Sequence, residues 1–190
     1  MKFPKLLGSG MIPANDYYIF GGGRPSSSNT AATPDRIYFL PIRASLSFNA
    51  KELGVIVFLA ATFAQKLVMG IYDFDFKTGN PINLLYQPTG ELSLDGATGY
   101  KKFDINFNFD PGIYYIAYHA SSGVIVANCN RIIALEEPIL PQNTGGQIID
   151  TKYKYLDSVY SSILPSIISS VLVEATDFEV VNPVIGVNVI

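Results

Sequence analysis

The sequence predicts an all-β fold: an antiparallel β-sandwich, jelly-roll-like, with an extended N-terminal arm. Three observations carry that expectation. Between Phe103 and Phe109, apolar Phe103, Ile105, Phe107 and Phe109 alternate with Asp104, Asn106 and Asn108, the period-two pattern of a strand with one face in a core and one in water. Twelve Tyr, twelve Phe, 16 Gly and 12 Pro in 190 residues combine strand-forming aromatics with many chain reversals. From Arg36 onwards, short apolar segments follow one another, separated by clusters rich in Gly, Pro, Asn and Ser. The length suits one domain of ordinary size.

Residues 1 to 34 read as the arm. They carry GSG, GGGRPSSSN and TP around one aromatic knot, Tyr17-Tyr18-Ile19-Phe20, and are too rich in Gly, Ser and Pro to bury themselves. Such an arm docks either on its own body or on a neighbouring subunit, and Tyr17, Tyr18, Phe20 and Arg24 are its candidate partner-anchoring residues. The sandwich then occupies 35 to 190. Its expected strands are Ile37 to Leu40, Ala44 to Phe48, Gly54 to Phe63, Leu67 to Asp73, Leu84 to Tyr86, Glu91 to Leu94, Tyr100 to Phe107, Ile113 to Ala120, Val124 to Ala127 and Arg131 to Leu135.

Turns are expected at Asn49-Ala50-Lys51, Thr78-Gly79-Asn80-Pro81, Pro88-Thr89-Gly90, Asp95-Gly96 and Ser121-Ser122-Gly123. Asp110-Pro111-Gly112 is expected to fold the strands on either side of it into a hairpin. The second of those limbs carries Tyr, Ile and Ala on both faces. Residues 138 to 183 are partly irregular: Asp157 to Leu164 allows a short helix, but its β-branched density and Pro165 favour irregular chain. A closing strand is expected over 184 to 190.

Composition narrows the function. Charged residues make up 15% and the net charge is −3, so no positive field exists to attract a phosphate backbone, and nucleic acid is a poor partner. So few charges also imply apolar surface that meets other protein. Cys129 is the single cysteine, which rules out an intrachain disulfide and reads as a small buried hydrophobe. Pro4, Gly8 and Gly10 interrupt the opening segment, so no signal peptide is expected, and Gly54 to Ala64 is too short to cross a membrane. A protein made in the cytoplasm is the expectation.

Reactive chemistry finds little footing. A serine hydrolase needs a base, and His119, the one histidine, lies within an expected strand with no Gly-x-Ser-x-Gly elbow anywhere in the chain. Glycoside hydrolysis needs two facing carboxyl groups, and the sequence leaves such a pair open among Asp73, Asp75, Glu91, Asp95, Asp104, Asp110, Glu136 and Glu137, although acids in or beside turns are ordinarily solvated. One His and one Cys cannot build a four-ligand zinc cage. Asp73, Asp75, Thr78 and Asn80 offer hard oxygens for a cation without EF-hand spacing. Gly21-Gly22-Gly23-Arg24 lacks the Gly-Lys-Ser/Thr ending of a phosphate loop. No catalytic, cofactor-binding or metal residues are therefore assigned. Tyr114 and Tyr118, which share a strand face, are the candidate ligand-facing aromatics for stacking on a sugar, with core packing as the alternative.

Three stretches, RIYFLPIRASLSFNAKELGVIVF (36 to 58), VMGIYDFDFKTGNPINLLYQPTGELSLDGATGYKKFDINFNFDPGIYYIAYHAS (68 to 121) and LPS (164 to 166), together resemble a β-sandwich module of bacteriophage virion surface proteins. Gly70-Ile71-Tyr72, Gly79-Asn80-Pro81, Leu84-Leu85, Thr98-Gly99 and Pro111-Gly112 follow its order, and the match covers about 36 to 135. The resemblance implies a non-enzymatic virion structural protein: a tail-fibre, appendage or head-decoration component that docks on capsid or tail proteins through its arm and serves assembly and host attachment. It further implies a homo-oligomer, trimeric in the manner of fibre components. The alternative is a carbohydrate-binding module that recognises surface glycans.

Overall fold

The computed structural model describes residues 17–18, 24–31, 33–44, 47–59, 64–96, 98–121, 128–133, 154–174, 180–181 and 183–187, and within them the regular elements are all strands. In chain order these are β1 (Tyr17–Tyr18), β2 (Arg24–Ala31), β3 (Arg36–Ala44), β4 (Phe48–Leu59), β5 (Lys66–Asp75), β6 (Asn80–Tyr86), β7 (Leu92–Ser93), β8 (Gly99–Phe109), β9 (Gly112–Ala120), β10 (Asn128–Ile133), β11 (Lys154–Asp157), β12 (Val173–Glu174), β13 (Val180–Val181) and β14 (Pro183–Val187). They form an all-β protein of two antiparallel sheets, one curled into a half-barrel.

The first sheet is organised by β4, whose twelve residues pair with β8 along one edge and with β14 and then β10 along the other. β2 and β13 join on β10, and β1 joins on β14. The second sheet runs β12-β11-β3-β9-β5-β6, with β7 also on β5.

The alternation in β8 does what its pattern requires: Phe103, Ile105 and Phe109 are buried and Asp104, Asn106 and Asn108 are exposed. Its partner is not the predicted one. The expected hairpin across Asp110-Pro111-Gly112 is absent, because β8 pairs with β4 in the first sheet and β9 pairs with β3 and β5 in the second. The turn carries the chain from one sheet to the other, so both limbs give an apolar face to the same core.

Other boundaries also move. Asn49-Ala50-Lys51 is not a turn but part of β4, where the register with β8 shifts between Ala50 and Glu52, a bulge that takes up one residue. β3 does not stop before Pro41 but continues to Ala44. Its neighbour β11 reaches only as far as Phe39, so Pro41 lies on a stretch paired with β9 alone, where a missing N–H is tolerated. Of the expected turn Thr78-Gly79-Asn80-Pro81, Thr78 and Gly79 close a β5–β6 hairpin, with Gly79 at φ 70° and its N–H donating to Asp75 O at 2.7 Å, while Asn80 and Pro81 already belong to β6. The expected strand Val124 to Ala127 lies outside the described residues.

Two apolar clusters explain the layering. Tyr38, Leu40 and Ile42 of β3, Leu53, Val55 and Val57 of β4, Met69 and Ile71 of β5, Phe103, Ile105 and Phe109 of β8, and Ile116 and Tyr118 of β9 make one core that joins the two sheets. The opposite face of the second sheet is buried as well. Ile37, Phe39, Val68, Tyr72, Phe74, Ile113, Tyr115 and Ala117 form a second cluster with Leu164, Tyr160, Ile168 and Leu172, which belong to the segment between β11 and β12. That segment lies as a strap over the second sheet.

Candidate functional site

The strap is the feature that the sheets by themselves do not require. Its sequence, SVYSSILPSIISSVLV from Ser158 to Val173, repeats every four residues: Tyr160, Leu164, Ile168 and Leu172 turn towards the sheet, and Val159, Ile163, Ile167 and Val171 turn away. Irregular chain is the outcome the composition favours. Pro165 has no N–H, β-branched side chains are stiff at χ1, and serine hydroxyls compete for backbone groups. The backbone finds its partners in β6 instead. Leu84 N donates to Ser166 O at 2.9 Å and Ile168 N to Ile82 O at 2.7 Å, with a single antiparallel bridge between Asn83 and Ile167.

Side chains complete the attachment. Tyr72 Oη donates to Pro165 O at 2.6 Å, and burial raises the pKa of that phenol well above its ordinary value. The Gln87 amide grips the strap twice, donating from Nε2 to Ser162 O at 2.7 Å and accepting at Oε1 from Leu164 N at 2.9 Å. Tyr160 Oη donates to Glu91 Oε1 at 2.7 Å, while Lys66 Nζ pairs with Glu91 Oε2 at 2.7 Å. Lys66 first and Tyr160 second hold the Glu91 carboxyl below the usual carboxylate range. At the strap's start, Asp35 takes a left-handed conformation, φ 55°, which an Asp tolerates better than most residues, and accepts Ser158 N at its carbonyl and Tyr160 N at Oδ1.

His119 belongs to this fastening. It is buried on the strap side of β9, with its ring 5.0 Å from that of Tyr160. Ser158 O can only accept, so His119 Nε2, at 3.1 Å, carries the proton. Nδ1 is buried without a partner, so a second proton there would be an unsatisfied donor. Burial accordingly lowers the pKa of His119.

Of the predicted site residues, Tyr118 is 1% exposed and stacks on Tyr38 at 5.0 Å, in the core between the sheets. It is not ligand-facing. Tyr114 shares that face, as its parity requires, but is half-buried against Phe109 at 4.9 Å. Its hydroxyl bridges Asp110, accepting from the N–H and donating to the carbonyl, both at 3.1 Å. It braces the crossing between the sheets. Neither ring offers an open platform, because the sheet face they occupy is the one that meets the first sheet.

The backbone of Tyr17 and Tyr18 pairs with Gly186 and Ile185, and that of Arg24 with Ile133. Of the two dockings expected for the arm, its strands β1 and β2 take the first and add to a sheet of their own chain, through backbone pairing that needs no apolar side chains. Phe20 lies outside the described residues, as do the side chains of Tyr17, Tyr18, Arg24 and Cys129.

The oxygens considered for a cation are engaged by the protein. Asp75 accepts Thr78 Oγ1 at 2.7 Å and Lys77 N at 2.9 Å, Thr78 being the main cause of its lowered pKa. Asp73 accepts from Ile82 N, Asn83 N and Asn83 Nδ2. The buried Lys154 ammonium donates to Gly79 O at 2.7 Å and to Asn80 Oδ1, and Tyr115 Oη donates to Gly79 O at 2.6 Å. A lysine thus supplies the positive charge at this loop. No group of three His, Cys, Asp or Glu with metal-binding geometry occurs among the described residues, and no helix among them is long and apolar enough to cross a membrane.

The strap was the element that sequence reasoning missed. Its four-residue repeat was visible, as was the two-faced apolar character of Ile113 to Ala120, which signals a sheet covered on both sides. No protein-family profile matches the chain, and neither a curated protein nor a solved structure shows significant similarity to it.

Proposed function

We propose that the chain is a non-enzymatic structural protein of a bacteriophage virion, a surface-exposed fibre, appendage or decoration component. In this reading the two sheets close as a jelly-roll-like sandwich and act by assembly and host-surface attachment. The observation that carries it is the strap: a fixed surface segment without a charge from Ser158 to Val173 that turns Val159, Ile163, Ile167 and Val171 outward at a four-residue interval and exposes Val173 at its end. A chain with so apolar a surface is suited to contact with other protein. The polar groups beneath the strap fasten it, and the rings on which glycan stacking would depend are buried or half-buried. The residues 1 to 34 would dock on capsid or tail proteins.

Because β2 is a strand of the first sheet, deleting the arm would disturb the body and would not test docking cleanly. An antiserum to the purified chain, applied to phage particles from lysates of the source and viewed by immunogold microscopy, is the direct test. Labelling at discrete positions on the particles supports the proposal. Particles free of label, with the protein remaining in the soluble lysate, overturn it.

A further inference from the structure

Val159, Ile163, Ile167 and Val171 are 83, 73, 60 and 91% exposed. Isolated exposed aliphatics are ordinary, but four at a constant interval on one hydrogen-bonded segment form a designed row. Successive members are at most about 14 Å apart along extended chain. Ser161-Ser162, Pro165-Ser166 and Ser169-Ser170 leave low ground between them.

We propose that this row is the contact through which two copies of the chain associate, strap against strap about a two-fold axis. The inference rests on the reading of the chain as an assembly protein and names the surface used. Three features favour a second copy over a different partner. In a contact about a two-fold axis an antiparallel copy sets the row against its own reverse, and because Val159, Ile163, Ile167 and Val171 are evenly spaced, the reversed row keeps the same four-residue interval. Large side chains alternate with pairs of small residues, so a copy displaced by half a repeat sets three of the four aliphatics over the three gaps of the other and the fourth beyond the end of its row. The stretch from Ser158 to Val173 also carries no charge, so two chains of net charge −3 meet there without like-charge repulsion or buried ions. Asp157, next to one end of the row, already pairs with Arg36 at 2.8 Å.

The test uses the full-length chain in sedimentation equilibrium beside two variants, one with Ile163→Lys and Val171→Lys and one with Ile163→Ser and Val171→Ser. Both positions are exposed, and serine already recurs in the strap, so the second variant keeps the fold even if the first does not. At about 10 µM, where an ordinary specific contact is populated, the parent should sediment as a dimer or larger and the variants as monomers with unchanged near-ultraviolet circular dichroism. A parent that is monomeric at about 100 µM, or a serine variant that keeps the parent's mass, overturns the proposal. The particle-labelling experiment is independent. A monomeric chain that labels particles removes only the strap contact, whereas a strap-dependent oligomer that labels none removes only the virion assignment.

Discussion

Leu164 Cδ1 lies 2.6 Å from the point that a β-carbon on Gly70 would occupy. Gly70 of β5 stands opposite Ala117 of β9, and these two small residues make the seat into which the strap's most buried side chain fits. Leu84 Cδ1, at 2.9 Å from the same point, closes the seat from β6. A strand glycine that would ordinarily weaken a sheet is here required by the approach of another segment.

Two substitutions probe that seat from opposite sides. Leu164→Ala leaves a void and should cost about 2–5 kcal/mol in urea unfolding. Gly70→Val overfills the seat and should cost about 1–3 kcal/mol. Both should speed proteolysis between Ser158 and Leu172 more than elsewhere. Cleavage rates that rise uniformly along the chain would show that the strap is not a separately held unit.

His119 gives the strap a pH dependence. Burial depresses its folded-state pKa below the unfolded value of about 6.5, so the unfolded chain binds more protons between the two values. The histidine's contribution is therefore fully present above about pH 6.5 and is lost as pH falls towards the depressed folded value. Comparing the urea midpoints of the parent and His119→Gln from pH 7.5 to 5 isolates the effect, since the carboxylates are common to both. The parent should lose stability more steeply, and parallel curves would refute the assignment.

Glu91 joins Lys66 of β5 to Tyr160 of the strap. Tyr160→Phe removes a hydroxyl donor to a carboxylate and should cost about 1.5–3 kcal/mol, less whatever water recovers at this partly exposed site. Because the Tyr160 bond helps to hold the Glu91 pKa down, the variant's Glu91 should titrate at higher pH by nuclear magnetic resonance. A double-mutant cycle with Glu91→Gln should show coupling between the two positions. Additive costs would mean that the bond contributes nothing.

At the β5–β6 turn, Lys154 already donates to Gly79 O and Asn80 Oδ1. Adding calcium or a chelator should accordingly leave the Tm unchanged, and a rise with calcium would show that the loop recruits a metal. Lys154→Met should lower stability by about 1.5–3 kcal/mol, the usual scale for hydrogen bonds from a charged group.

The local periodicities were legible, and they sufficed for an all-β chain of antiparallel sheets. The β8 alternation, the Thr78-Gly79 turn and the irregular character of the chain around Pro165 were all read correctly from neighbours in sequence, because each depends on backbone stereochemistry within a few residues. The same local information could not say which strands pair. Asp110-Pro111-Gly112 suits a hairpin and a crossing between sheets equally, and the choice lies with Phe109 and Tyr114, which must face one core from two layers.

The strap shows the same division. Its composition favoured irregular chain over the short helix that Asp157 to Leu164 allows, and its four-residue repeat fixed which side chains share a side. Only the tertiary structure decided that one side would close over Gly70, Tyr72 and His119 and cover Tyr115, while the first sheet covers Tyr118 on the opposite face. Burial of that kind is a contact between segments far apart in the chain, and no periodicity within either segment encodes it.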